Sequence, residues 1–329
     1  MKRLFYSGEG TRPGGQIEVP ASRRTELTKP ENYRAEPGLA AAVNVALLLG
    51  QPLLLTGEPG TGKTQLAYSL AWELDYGEPL KFETKSTSTA RDLFYTYDAL
   101  GRFQARESGA SAEPLSYINF CALGIAIMRA NDEKAVAHFL PTGFEHGGQR
   151  RSVVLIDEID KAPRDFPNDI LNEIEDMYFR IPELGNERIA AEPGMQPVVV
   201  ITSNSEKDLP DAFLRRCIYY HLSFPQPERL KEIVTSRLGE FAASSSSLLK
   251  DALDLFFLLR RDASGLRKKP ATAELLGWLI ALRHAENGKN PLAGSPDLAL
   301  STLSSLVKTT EDQPRAEQVV RQWFKSRGR

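Results

Sequence analysis

The sequence predicts an α/β protein: a parallel five-stranded sheet flanked by helices, followed by a small all-helical domain. Three observations carry this expectation. Short continuous apolar runs such as "PLLLT", "SVVLID" and "PVVVITSN" have the length and composition of strands covered on both faces. Helix-period segments alternate with these runs, and parallel pairing requires such crossovers. From Gln226 onward the strand signals stop and only helix periodicity remains. At 329 residues the chain exceeds one ordinary domain, so two packed units are expected.

Along the chain, residues 1–36 are rich in Gly, Pro and charge and read as an arm with little core of its own. Residues 37–225 read as the α/β domain. It opens with the helix "LAAAVNVALLL" and the strand "PLLLT". Leu66, Ala67, Leu70, Ala71 and Leu74 then mark one face of a second helix, and "PLKFET" is the second strand. A long insertion spans about 85–150, in which "FYTYDALGRFQAR" reads as a hairpin and "LSYINFCALGIAIMRA" as a helix. After "SVVLID", Ile170, Leu171, Ile174 and Met177 mark an amphipathic helix. "YFRIPELGNERIA" has a turn at Leu184-Gly185-Asn186 between two extended pieces. "PVVVITSN" and a buried strand "IYYHL" complete the sheet. Residues 226–329 form the helical domain. Its helices are marked by Leu230, Ile233, Val234 and Leu238, by Leu276, Leu279 and Ile280, and by Ala316, Val319, Val320 and Trp323. Ser295-Pro296 reads as a helix start, and "AASSSSLL" as a loop ending in a cap.

Composition removes several function classes. A formal net charge of −2 and a pI near 6.2 give no bulk attraction to nucleic acid or anionic membrane. The arm is mildly basic without forming a block of like charge. Cys121 and Cys217 are too few for a disulfide framework, and His138, His146, His221 and His284 form no metal-ligand spacing. The start "MKRLFYSGEG" lacks an apolar signal segment, and "ALLLGQPLLLTG" is broken by Gln51-Pro52 and too short to span a bilayer. A soluble, cytoplasmic protein is the expectation.

Chemistry concentrates in three strand ends. "GEPGTGKT", Gly57 to Thr64, fits G-x-x-x-x-G-K-[ST] between a strand and a helix. Glycines let successive backbone N–H groups face phosphate oxygens, and the helix N-terminus adds partial positive charge. Gly57, Glu58, Pro59, Gly60, Thr61, Gly62, Lys63, Thr64 and the adjoining Gln65 are therefore the expected ATP-binding residues. Lys63 reaches the β- and γ-phosphates, and Thr64 ligates Mg²⁺. "VVLIDEID" ends a buried strand at Asp157, the second expected Mg²⁺ group, with Glu158 beside it to polarise an attacking water. A kinase for a metabolite needs Asp157 but has little use for Glu158, so the pair favours hydrolysis over phosphoryl transfer. Asn204, at the end of "VVVITSN", is placed to fix the same water or the γ-phosphate.

Phosphate loop, "DEID", "TSN", "FLRRC" and a helical C-terminal domain together resemble an AAA+ ATPase, a P-loop NTPase. "AVNVALLLGQPLLLTGEPGTGKT", with the long insertion after the second strand, resembles the MoxR family within it, and the likeness covers roughly Tyr33 to Arg283. The resemblance implies sheet order 5-1-4-3-2, a helical lid over the nucleotide and a hexameric homo-oligomeric ring. It also implies a role in remodelling a partner protein that carries a von Willebrand factor A domain. One family element departs. A sensor arginine is expected at the start of the third lid helix, where this chain reads "GLRKKPATAELLGW". Arg267 is the candidate, and capping of a neighbouring helix or contact with another subunit stands beside it.

Arg215 and Arg216 close a short helical stretch before the last strand. Two guanidiniums there require an anion. In a closed ring of the implied family each subunit's rim meets its neighbour's nucleotide, so Arg216 is the expected finger on the neighbour's γ-phosphate and Arg215 its support. Two rival readings remain: a subunit of a nucleic-acid machine, opposed by the near-neutral charge, and a P-loop enzyme acting on a metabolite, opposed by Glu158, Asn204 and the lid.

Overall fold

The computed structural model describes residues 5–6, 10, 15–19, 27–109, 111–239, 246–285, 290–294 and 296–328. The chain divides into two compact units, Ala35–Ser223, and Met1–Arg34 together with Phe224–Arg329.

The first unit contains nine strands among its described residues. They are β1 (Leu53–Gly57), β2 (Leu80–Glu83), β3 (Tyr95–Tyr97), β4 (Ile118–Phe120), β5 (Val153–Asp157), β6 (Tyr178–Ile181), β7 (Glu187–Ala190), β8 (Val198–Ser203) and β9 (Ile218–Leu222). Five of them form a parallel sheet in the order β2-β5-β8-β1-β9. Counted among the sheet strands alone and read from β9, this is 5-1-4-3-2. The three inner strands are apolar and covered on both faces: every residue of β1 and β5 is buried, as are Val199 to Ser203 of β8. The edges differ. β2 and β9 alternate between partly covered and exposed residues, so "IYYHL" is an edge strand and not the fully buried one its apolar composition suggested. Tyr219 and His221 point outward, as period-2 geometry demands of a half-covered strand.

The insertion departs from its sequence reading. Phe94–Arg106 is not a hairpin. Asp98 caps the helix Ala99–Glu107 by accepting the Gly101 N–H at 2.8 Å, and β3 finds its antiparallel partner β4 beyond that helix. A side-chain cap overrode the local alternation. The expected helix over 115–130 is confined to Ala122–Arg129, after a 3₁₀ turn at Pro114–Tyr117 and β4. Gly124 permits that helix to lie against the preceding chain, since a Cβ there would sit 1.9 Å from the Phe94 carbonyl oxygen. Phe179 of β6 then stacks on Phe94 at 5.5 Å and meets Phe120 edge-on at 6.0 Å, tying the insertion to the β6–β7 hairpin. That hairpin has the expected turn, with Gly185 left-handed. The Ile170–Met177 helix is broken into Phe166–Asp169 and Leu171–Glu175, although Ile170, Ile174 and Met177 are buried as expected.

The second unit is helical: Pro227–Leu238, Ser246–Arg260, Thr272–Ala285, Asp297–Ser301 and Gln313–Ser326, with short 3₁₀ turns. Ser295, residues 242–245 and half of the N-terminal arm lie outside the described residues, but the second half of "AASSSSLL", read as a loop, forms the first turn of the helix Ser246–Arg260. The described part of the arm belongs here. Leu27 packs on the helical core, Ser236 Oγ donates to the Asn32 carbonyl at 2.9 Å and Arg237 Nη1 to that of Lys29 at 2.7 Å. The helix Ser246–Arg260 supplies Ala252, Leu255, Phe256 and Leu259 to a core centred on Trp278. The buried Trp278 indole N–H donates to Thr302 Oγ1 at 2.9 Å. Thr302→Val should therefore strand a buried donor and cost about 1–3 kcal/mol, read as a lower denaturant midpoint for the helical unit, whereas Thr302→Ser, which keeps the acceptor, should lose less.

Candidate functional site

The parallel register brings the carboxyl ends of β1, β5 and β8 level, and the polar groups of the site emerge there. Gly57 closes β1 at φ 140°, and a Cβ on it would meet the Leu222 carbonyl oxygen at 2.3 Å. The first motif glycine thus answers to the passage of β9. Gly60 and Gly62 are left-handed and shape the loop itself. Glu58, Pro59 and Gly60 are exposed, Thr61 Oγ1 donates to the Glu58 carbonyl at 2.9 Å, and the helix Lys63–Glu73 starts at the end of the loop.

Lys63 is 6% exposed and folds back over the loop, its ammonium donating to the carbonyls of Gly57 at 2.7 Å and Glu58 at 3.0 Å. Burial pushes its pKa below the ordinary lysine range, while the charges of Asp160, Asp157, Glu158 and Glu58 pull it upward. Gln65 occupies the first helical turn with its Oε1 buried and unpaired among the described residues.

Asp157 is the hub. Its Oδ1 accepts the Thr64 hydroxyl at 2.9 Å and the Thr202 hydroxyl at 2.7 Å, and Lys81 Nζ lies 3.0 Å from Oδ2. Burial would raise its pKa, but the bonds from Thr202, Lys81 and Thr64 together with the Lys81 charge hold it below the usual carboxylate range. Thr202 is a relay, since its oxygen also accepts the Glu158 N–H at 2.8 Å. That bond fixes an unusual backbone: Glu158 is left-handed at φ 57°, ψ 53°, a conformation that costs a non-glycine residue on the order of 1–3 kcal/mol. The turn presents the carboxylate to Asn204, whose Nδ2 donates to Oε1 at 2.9 Å, while Lys161 pairs with Oε2.

Asp160, absent from the sequence-derived site, holds this geometry from below. It is 2% exposed, and its Oδ2 accepts the backbone N–H groups of Asn204 at 3.1 Å and Glu206 at 3.0 Å, around the left-handed Ser205. Lys81, Lys161 and Thr202 were likewise missed. The second aspartate of "DEID" was visible in the sequence, but nothing local distinguishes it from a solvated turn residue.

The donor set fits a magnesium nucleotide. A hydroxyl (Thr64) and a carboxylate (Asp157) within hydrogen-bond distance are hard oxygen ligands beside a phosphate-sized loop. The match to a known family agrees. Residues 52–217, just over half of the chain, match the AAA domain of the dynein-related subfamily. The chain belongs to the AAA family. The member therefore carries an ATP-binding domain of the nucleotide-hydrolase type. It is also similar to an uncharacterized Escherichia coli K12 protein, YehL, at 22% identity over 341 residues, covering 96% of this chain and 85% of that one.

The remaining sequence-derived residues lie elsewhere. Arg215 and Arg216 follow the helix Asp211–Leu214 and precede Ile218, which pairs with Leu53 at the amino end of β1. The phosphate loop leaves the opposite end, about 16 Å along a five-residue strand. Arg215 is exposed, and Arg216 Nε donates to Glu175 Oε2 at 2.7 Å. Beside it, burial pushes the Cys217 thiol up to about 12, which makes it a packing group. Arg267, in the helical unit, pairs with Glu311 and lies before the helix Thr272–Ala285, not in its first turn. No helix among the described residues is long and apolar enough to cross a membrane.

If Asp160 sets the register of residues 204–206, Asp160→Ala should slow ATP turnover about tenfold or more and lower the melting temperature. Asp160→Asn, which retains a carbonyl acceptor for both N–H groups, should recover much of each. Equal loss in both variants would assign the effect to the charge instead.

Proposed function

We propose that this AAA ATPase works as a MoxR-type remodelling factor: a homo-oligomeric, hexameric ring that couples ATP hydrolysis to the state of a partner protein. The observation that carries hydrolysis is the hydrogen-bonded chain Thr64–Asp157–Thr202–Glu158–Asn204, which links the phosphate loop to a carboxylate held on an amide. In this reading Lys63 and the loop amides bind the β- and γ-phosphates. Glu158 accepts a proton from the attacking water, and Asn204 orients both. Mg²⁺, held by Thr64 and Asp157, would neutralise charge on the phosphate oxygens. The partner is proposed from the family likeness to carry a von Willebrand factor A domain.

Lys63→Ala should abolish most nucleotide binding. Glu158→Gln should bind ATP and stall, because an amide cannot take the proton. Measured by equilibrium nucleotide binding and steady-state phosphate release, a Glu158→Gln protein that turns over at the normal rate would remove Glu158 as the base.

The arginine pair supports assembly. Arg216 sits at the amino edge of the sheet, a strand's length from its own phosphate loop, and its pair with Glu175 is solvent-exposed, so a neighbour's γ-phosphate can take the place of Glu175. A finger supplied in trans is worth about 10³–10⁵ in rate. Arg216→Ala should keep ATP affinity and lose most turnover. Mixing it with Lys63→Ala subunits should restore activity at interfaces where each supplies what the other lacks. Full turnover by Arg216→Ala as a dilute monomer would refute the intersubunit role. Stimulation by DNA, with no protein partner recovered from the native host, would favour a nucleic-acid machine.

A further inference from the structure

Among the described residues β2 is an edge strand with β5 as its one sheet neighbour, and it presents a lysine to the metal-site carboxylate. Lys81 and Glu83 are two residues apart and therefore lie on one face of β2, while Phe82 turns to the other face and stacks on Phe166 at 6.2 Å. Glu83 stands level with Asp157 in the register, and Lys81 leans along the strand toward it. Its ammonium is shared between Asp157 Oδ2 at 3.0 Å and Glu83 Oε1 at 2.6 Å. The two partners differ in environment: the side chain of Asp157 is 11% exposed and that of Glu83 is 70% exposed. Asp157 thus has Oδ1 bound by two hydroxyls and Oδ2 bound by a cation of the same chain.

We infer that Lys81 is a resident counter-ion that sets the Mg²⁺ requirement of the nucleotide site, bridging Asp157 and Glu83 until a divalent cation takes Asp157 and leaves the ammonium on Glu83 alone. The inference rests on the ATP–Mg²⁺ reading above. Asp157 is largely buried, and Lys81 supplies it a positive partner without any metal. The same charge opposes a second cation on that carboxylate. Glu83 already holds the ammonium at 2.6 Å, so the exchange leaves neither charge unpaired.

The signs of two substitutions follow, and they are opposite. Lys81→Met keeps the aliphatic stem and removes the charge. Glu83→Gln removes the alternative anchor and leaves Lys81 to Asp157. The test is a Mg²⁺ titration of fluorescent N-methylanthraniloyl-ADP binding to the full-length protein, with thermal unfolding in EDTA as a second measurement. Lys81→Met should bind the nucleotide at about tenfold lower Mg²⁺ than wild type, since like-charge repulsion at close range is lost. It should also melt at a lower temperature in EDTA, a deficit that Mg²⁺ and ADP reduce. Glu83→Gln should require more Mg²⁺ than wild type. Lys81→Arg, with its charge kept, should stay within a few-fold of wild type.

An unchanged or raised Mg²⁺ requirement in Lys81→Met overturns the inference. So does a lowered requirement in Glu83→Gln, which tests it even if the lysine variant fails to fold. Wild-type protein that binds the nucleotide at no Mg²⁺ concentration would instead overturn the ATP reading on which it stands.

Discussion

The site depends on one constraint, the level parallel register of three buried strands. Leu53 of β1 is opposite Val200 of β8, and Val153 of β5 is opposite Val198. These pairings bring Gly57, Asp157 and Thr202 to the same edge of the sheet without help from any loop. The apolar runs that fix the register, Val153 to Ile156 and Val199 to Ile201, are almost completely buried. Both faces of these strands are packed, so a slip of one residue would exchange the side chains fitted to the two covering layers, and close packing opposes it. The functional carboxylate inherits its position from hydrophobic packing.

That rigidity is what permits strain beside it. Of five left-handed non-glycine residues among those described, Glu158 and Ser205 follow the ends of adjacent strands. Neither is stable alone, at on the order of 1–3 kcal/mol each. Both are held by bonds to groups that the sheet fixes: Glu158 N–H to Thr202, Ser205 N–H to Ser203, and the residues on either side of Ser205 to Asp160. Thr202 and Asp160 therefore act as a scaffold that converts the order of the strands into the aim of two side chains, Glu158 and Asn204.

Much of this was legible in the sequence because it was encoded locally. The phosphate loop and the acidic strand end follow from motif spacing and continuous apolar runs, whereas the order of the sheet came with the family resemblance. What escaped was set by distant partners. β3 alternates like one arm of a hairpin, but Asp98 caps a helix and leaves its pairing to β4. "IYYHL" has the composition of a buried strand, but sheet order places it at an edge. Lys81, Lys161 and Asp160 look like ordinary surface charges until β2, β5 and β8 are side by side. Charged residues yield their role only when the partner is known, and pairings between strands far apart in the chain supply that information.

The cations proposed for function fall into two physical classes. Lys63 is buried against its own loop, and its bonds are to backbone carbonyls. Arg216 instead pairs with Glu175 at the surface, with side chains 40% and 56% exposed. An ion pair of that exposure is worth no more than about 1 kcal/mol, so a multiply charged phosphate competes for the guanidinium at little cost. The same holds for Lys161 on Glu158, whose side chains are 46% and 37% exposed. Weak pairing keeps each group oriented and available, while the desolvated lysine stays bound to the loop it serves. The distribution of solvent over these pairs, and not the near-zero net charge, separates groups that are fixed from groups that can be handed to a ligand.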